Sequence, residues 1–153
     1  MKNSIVKAAL VAGLVAGVAS AAWAQSAADT IAARQASMKS MGAAMGAIRT
    51  AVQGGADLTT VAARAQEIAD AVRKLPGLTP VGTGQDSGIK TAALASIWQN
   101  KSDYDANAGI MVREAEKLAA ALKANDKAGA TAQFAATGAQ CGACHRPYRQ
   151  PAQ

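Results

Sequence analysis

A single pentapeptide, Cys141-Gly142-Ala143-Cys144-His145, contains both cysteines and the only histidine of this 153-residue chain. Two thiols three positions apart can each form a thioether to a vinyl group of haem, and the adjacent imidazole can reach the iron from the same side. The pentapeptide therefore predicts one covalently attached haem c per chain. It restricts the fold to one that can enclose a macrocycle beside these residues.

Two other uses of the pentapeptide fit the sequence less well. A redox disulfide usually sits at a helix N-terminus after a strand, and no strand pattern precedes Cys141. A structural zinc site needs a fourth ligand, which only an Asp or Glu could supply, since no further Cys or His exists. The position of His145 directly after Cys144 also outweighs its interpretation as an ordinary core or surface histidine.

The first 24 residues have the pattern of a bacterial secretory signal peptide. Two lysines precede an apolar run over residues 8–22, and Ala22-Trp23-Ala24 has the small-x-small form of a cleavage site. A membrane anchor is the alternative, but the run is shorter than the roughly 20 residues that span a bilayer, and no basic cluster follows it. We expect cleavage after Ala24, which removes residues 1–24 and leaves residues 25–153 as one domain in the periplasm.

Apolar residues recur at steps of three and four in four segments, as in amphipathic helices. The first segment begins at the cap-like Ser26–Asp29 and ends at Gly54-Gly55, and the second begins at Thr59-Thr60 and ends at Pro76-Gly77. The apolar positions of these two segments are Ile31, Met38, Met41, Met45, Ile48 and Val52, then Val61, Ala65, Ile68, Val72 and Leu75.

The third segment extends from about Ser102 to Asn125, and Pro147 should end or distort the fourth close to the haem. Their apolar positions are Tyr104, Ala108, Met111, Ala115, Leu118 and Leu122, then Phe134, Gly138, Cys141, His145 and Tyr148.

Residues 76–97 form one long irregular stretch rich in proline and glycine. A linker between two domains is conceivable, but neither half contains enough helix to bury a core. We therefore predict a crossover within an all-α, antiparallel four-helix bundle whose helices cross at about 20°. An interior lined mainly by alanine and glycine lacks bulk that a haem would supply, although alanine-rich helices could also simply pack closely.

With the haem motif on its last helix, the chain resembles the cytochrome c′ family, which includes low-spin relatives of the same bundle. The resemblance covers essentially all of residues 25–153, and the C-terminal position of the motif distinguishes the chain from mitochondrial-type cytochromes c. Unlike many members, the chain has no aromatic residue around Leu78–Val81. The matching segments are Arg34-Gln35-x-x-Met38, Gly82-Thr83, Lys90-Thr91-Ala92, Ile97-Trp98 and Cys141-x-x-Cys144-His145-x-x-Tyr148-Arg149.

The resemblance implies that seven residues form the haem site. They are Cys141 and Cys144 as the thioether positions, His145 as the proximal iron ligand, Met38 on the distal face, Arg149 beside the proximal face, and Arg34 and Gln35 at the haem edge, where a guanidinium can pair with a propionate.

The sixth iron ligand decides between two functions. If the only histidine is the proximal ligand, the sixth position of the iron is either occupied by a methionine or vacant. Met41 and Met45 lie on the same helix face as Met38, and each of the three could instead be a core residue. The resemblance singles out Met38. If Met38 only covers the iron, we expect a five-coordinate, high-spin haem that transfers electrons and binds NO or CO. If Met38 ligates the iron, a six-coordinate, low-spin carrier results. We favour the open site.

Other function classes fit less well. A haem peroxidase needs a distal acid–base group, usually histidine, and Arg34 alone is a poor substitute, so we predict no enzymatic activity. A purely structural helical bundle is a third alternative. The formal net charge is +6, but lysine and arginine form no dense block, which disfavours nucleic-acid binding.

The expected partners are redox proteins, with no membrane association after signal cleavage. Because the charges look evenly spread along the sequence, a solvated surface is favoured over a preference for acidic partners. Gly42-x-x-x-Gly46 permits close approach of another helix or of the haem, and we assign that approach to a contact within the chain. The family resemblance implies a homodimer formed through the first two helices.

Overall fold

The computed structural model describes residues 2–151, with side chains from residue 26 onward. The second long helix packs most extensively against the third, the third against the fourth, and the first against the second, whereas the first and fourth make few contacts. This arrangement confirms the four-helix bundle. The helices are α1 (Lys2–Gly54), α2 (Ala62–Lys74), α3 (Lys101–Lys123) and α4 (Lys127–Tyr148).

Helix α1 has no start at Ser26–Asp29, so that prediction is wrong. The helix continues through this segment, and Thr30 Oγ1 donates to the Ser26 carbonyl at 2.9 Å, one turn earlier. A cap acts only where the preceding backbone leaves the helix, and alanine-rich flanks favour continuation.

The predicted signal peptide, residues 1–24, lies outside the described side chains, and its cleavage stays a prediction. Among the described residues, no helix combines the length and the apolar character that crossing a membrane requires.

The two short connections lie at the same end of the bundle. Gly55 follows α1 with φ at +68°, the left-handed conformation that ends helices without strain only for glycine. A 3₁₀ turn at Leu58–Val61 leads into α2, and the Asp57 side chain caps it by accepting from the Thr59 amide at 3.0 Å. The Leu58 amide also donates to the Asn125 side chain at 3.0 Å, which ties the connection between α1 and α2 to that between α3 and α4.

The main core lies between the helices and follows the predicted apolar positions closely. Met38, Met41 and Met45 are half-buried and pack at its edge. In α4 the prediction fails at Gly138, which is exposed, because the inward-facing positions are Ala130 and Thr137. The largest fully buried apolar side chains of this core are Ile48, Leu58, Ile68, Val72, Leu118 and Leu122.

The crossover between α2 and α3 is largely irregular, as expected, with three short helical turns at Leu75–Leu78, Gln85–Ser87 and Ser96–Gln99. Its last part pairs with the end of α4 through an isolated antiparallel bridge between Ala93 and Arg149. The crossover therefore forms a wall at one end of the bundle.

Gly42 and Gly46 do not mediate a contact within the described part of the chain, so that interpretation is wrong. Both glycines are exposed, and a Cβ added at either would meet no atom within 4 Å. The inward face of α1 is instead occupied by neighbouring residues such as Ala44 and Ile48, which places the glycines on the outer face.

Candidate haem site

A cavity of about 210 Å³ lies between α1 and α4, which make few contacts with each other. Six of the seven predicted site residues line it. Three come from α1, two from α4 and one from the residue that follows α4, so the fold brings together positions that are distant in the sequence. These residues are Arg34, Gln35, Met38, Cys144, His145 and Arg149.

The two cysteines lie at the junction of two hydrophobic clusters. Cys144 lines the cavity and packs against the smaller cluster of Ala93, Ile97, Tyr104 and Tyr148. Cys141, one turn earlier on α4, is half-buried and packs against the main core.

Both cysteines are free, and burial raises the pKa of each thiol. Redox-active Cys-x-x-Cys pairs depend on a lowered thiol pKa, so this environment disfavours the disulfide interpretation.

The zinc interpretation finds no support in the described part of the chain. Within residues 26–151, no group of three or more His, Cys, Asp or Glu side chains is arranged to hold a metal ion. A structural zinc site would require such a group with four ligands.

His145 is half-buried in the cavity wall, and its pKa is lowered, chiefly by burial and further by the positive charge of Arg149. The lowered pKa favours the neutral imidazole, which is the form that ligates a metal. The residues present therefore fit a haem: two thiols on one helix, a neutral imidazole beside them, and a largely apolar cavity in front.

The end of α4 is fixed to the crossover immediately after His145. The Leu94 amide donates to the Tyr148 carbonyl at 3.0 Å, and the Gln150 amide donates to the Ala92 carbonyl at 2.8 Å. Helix α4 ends at Tyr148, directly after Pro147, as predicted. This pairing sets the position of the last turn, and hence of His145, relative to the cavity wall.

Arg34 has a role that the sequence did not reveal. It is buried, with 4% of its surface exposed, and its guanidinium ties α1 to the crossover. Burial lowers the pKa of Arg34, but a guanidinium stays protonated in proteins. One terminal nitrogen donates to the Leu78 carbonyl at 2.8 Å and the Thr83 hydroxyl at 3.2 Å, and the other to the Thr83 carbonyl at 2.7 Å and the Thr91 hydroxyl at 3.2 Å.

Both terminal nitrogens of Arg34 are thus used within the protein, and its pairing with a propionate stays a prediction. The neighbouring Gln35 side chain donates to the Lys90 carbonyl at 3.0 Å and reinforces the same attachment. In the segment without an aromatic residue, Leu78–Val81, the Thr79 and Pro80 carbonyls accept from the indole N–H of Trp98 at 3.1 and 3.0 Å.

Tyr104 and Tyr148 form an aromatic pair in the cavity wall that sequence reasoning treated only as core. Their ring centroids are 5.3 Å apart at an interplanar angle of 87°, an edge-to-face arrangement. The Tyr148 hydroxyl donates to the Asp103 carboxylate on α3. Burial raises the pKa of Tyr104 to about 12, and the hydrogen bond to Asp103 is the main reason that the pKa of Tyr148 rises to about 12.

We expect Tyr104 to make the protein less stable as the pH rises from 10 to 12. Its pKa in the folded protein, about 12, exceeds the ordinary value of 10.0, so the folded chain binds more protons in this window. The protonated Tyr104 contributes its full share to the free energy of unfolding below pH 10. About 2 kcal/mol of that free energy is lost as the pH approaches 12. Urea unfolding at stepped pH should show a shallower decline in Tyr104→Phe than in the parent chain. Equal declines would contradict the assignment.

Comparisons with known proteins agree with this geometry. A family model described as Cytochrome C' matches residues 29–149. A cytochrome c-556 from Agrobacterium tumefaciens (strain II Chrys) is 37% identical over 93 residues, which are 61% of this chain and 72% of that protein. A cytochrome c' from Rubrivivax gelatinosus is 33% identical over 90 residues, 59% of this chain and 69% of that protein. The crystal structure of cytochrome c' from Thermochromatium tepidum superimposes with a TM-score of 0.75 at 30% identity, covering 80% of this chain and 95% of that one.

Proposed function

Because this chain belongs to the cytochrome c′ family, we propose that it is a periplasmic haem protein that transfers electrons and binds NO or CO at a five-coordinate, high-spin haem. Proteins of this family bind haem c covalently, and the chain is a c-type haem protein with the two cysteines that attachment requires. When bound, the haem supplies an iron that can carry one electron and offer a site to a diatomic gas.

The observation that carries the gas-binding proposal is that three polar side chains of the cavity lining already donate hydrogen bonds within the protein. Arg34 donates to the crossover, Gln35 to the Lys90 carbonyl and Tyr148 to Asp103. These three donors are used within the protein, and Met38 contributes an apolar side chain to the cavity lining. A pocket of this kind disfavours O₂, which depends on a hydrogen-bond donor, and still admits NO and CO.

We assign the remaining roles from the family resemblance, and the positions of these residues in or next to the cavity support them. Cys141 and Cys144 hold the haem on α4, and His145 is the proximal ligand, oriented by the pairing of the chain after it with the crossover. Arg149 lies beside His145 and favours its neutral form. The proposal includes no enzymatic turnover, because the cavity lining contains no second histidine and no carboxylate to act as a distal acid or base.

The assembly proposed from the family resemblance is a homodimer. The outer face of α1 around Gly42 and Gly46 is exposed and free of bulky side chains, so a helix of a second copy could approach it closely.

Absorption and EPR spectra of the ferric protein test the open site. We expect a high-spin signal in the parent chain. Met38→Ala should leave the spin state unchanged and speed NO or CO binding several-fold, because it removes apolar cover. The matched control is Met41→Ala, one turn away on the same helix, half-buried against the core. A low-spin signal with a methionine-to-iron charge-transfer band that only Met38→Ala removes would replace the proposal with the six-coordinate electron carrier.

A further inference from the structure

We propose that the mouth of the cavity docks an acidic redox protein through four exposed cations, Lys39, Lys90, Arg146 and Arg149, which we call the basic rim. The inference rests on the proposed electron-transfer function and names the chemistry of its partner. It concerns the surface around the site, which the family assignment leaves undefined.

The four cations lie on three parts of the fold, each at or next to a residue that lines the cavity. Arg149 lines the cavity itself, and Arg146 lies one turn before it at the end of α4. Lys39 lies one turn after Gln35 on α1, and the Lys90 carbonyl accepts the hydrogen bond of the Gln35 side chain. Because Gln35 also lines the cavity, Lys39 and Lys90 flank the side opposite α4.

The charges of the rim are not balanced locally. In the described part of the chain, none of the four cations forms an ion pair, and no Asp or Glu lines the cavity. Asp103, which reaches this end of the bundle, accepts from the Tyr148 hydroxyl. Elsewhere several cations are paired, through the contacts Arg64–Glu67, Arg73–Asp70, Arg73–Glu116, Lys101–Asp105 and Lys117–Glu114.

An uncompensated positive rim at this place steers an acidic protein to the site of electron transfer. Gln35, Ala92 and Arg149 are exposed residues of the cavity lining, so the cavity reaches the surface within the rim. Two haem propionates would offset part of the charge, but four exposed cations leave an excess. Clustered charge of one sign raises association rates by about 10-fold or more at low salt and acts over about 10 Å at 0.1 M salt.

This arrangement differs from the even distribution of charge that the sequence indicates. Lys39, Lys90 and Arg146 are far apart in the sequence and are separated by acidic residues. The fold gathers them at one opening, whereas several of the intervening acids are used in ion pairs on α2 and α3.

Stopped-flow reduction of the ferric haem-loaded protein by two donors tests the proposal. Flavodoxin hydroquinone is an acidic protein, whereas riboflavin hydroquinone has related chemistry without an acidic surface. In the variant Lys39→Gln/Lys90→Gln/Arg146→Gln we expect the flavodoxin rate to fall about 10-fold at low salt and to match the parent at about 0.5 M salt. The riboflavin rate should not change.

The control variant Arg49→Gln/Arg113→Gln/Lys123→Gln removes the same net charge from exposed positions outside the rim, and should keep most of the flavodoxin rate. Equal slowing in both variants would show that only net charge matters and would overturn the basic rim. Equal slowing with both donors would also overturn it, because damage to the haem pocket would explain the result. If neither donor reduces the parent protein, the electron-transfer function itself fails.

Discussion

Replacing both Cys141 and Cys144 by alanine is expected to abolish covalent haem attachment completely. These are the only thiols in the chain, so no other side chain can form a thioether. After export in a host that matures c-type cytochromes, the parent chain should carry haem colour on a denaturing gel, and the double variant should be colourless. Intact mass measurement should show the loss of one haem.

His145→Ala separates attachment from iron ligation. It leaves both thiols in place, so the gel band should stay coloured while the absorption spectrum of the native protein changes. A stained band in the double cysteine variant would contradict the assignment of the thioether positions. A colourless parent band, with maturation shown to work for another cytochrome, would contradict the cofactor itself.

Arg34→Met is expected to lower the free energy of unfolding by about 3 kcal/mol or more. The substitution retains an apolar stem of similar reach but removes donors from the carbonyls of Leu78 and Thr83 and from the Thr91 hydroxyl. A buried acceptor that loses its partner costs about 1–3 kcal/mol, and several lose theirs together here. Urea unfolding followed by circular dichroism measures the change.

Two controls separate the attachment of the crossover from general packing at Arg34. Arg34→Lys keeps the charge but cannot reproduce the planar fork of donors, so we expect an intermediate loss. Gln35→Ala removes an exposed hydrogen bond to the Lys90 carbonyl and should cost about 1 kcal/mol or less. If Gln35→Ala and Arg34→Met cost the same, the buried guanidinium does not hold the crossover.

The helices were predictable because their apolar spacing is a local property of the chain. Leu118 and Leu122 are buried as their positions in the pattern require, and Pro147 ends α4 as its chemistry requires. The predicted helix start at Ser26–Asp29 was wrong because serine and aspartate also occur inside longer helices, so the residue type alone does not identify a cap. The predicted contact of Gly42 and Gly46 within the chain was wrong because small residues permit a helix to approach closely but do not determine which helix does so.

The haem cofactor was predictable for a similar reason. Both thiols and the imidazole lie within one pentapeptide, so their spacing predicts an attachment motif, and the family resemblance adds Met38 and Arg149 to the predicted site. The hydrogen-bond acceptors of Arg34 were not predictable, because they lie in an irregular crossover whose sequence has no periodic pattern. The bond from Tyr148 to Asp103 joins two helices and likewise has no local signal.

The cavity has one wall on α1 and the other on α4, and Met38 and Cys144 are more than a hundred residues apart in the sequence. Closing a loop of this length costs about 4 kcal/mol of chain entropy before any contact offsets it. The hairpins of adjacent helices close shorter loops and are expected to form earlier. We therefore expect the two walls of the cavity to meet only after adjacent helices have packed, so the pocket beside Cys144 is among the last parts of the bundle to close.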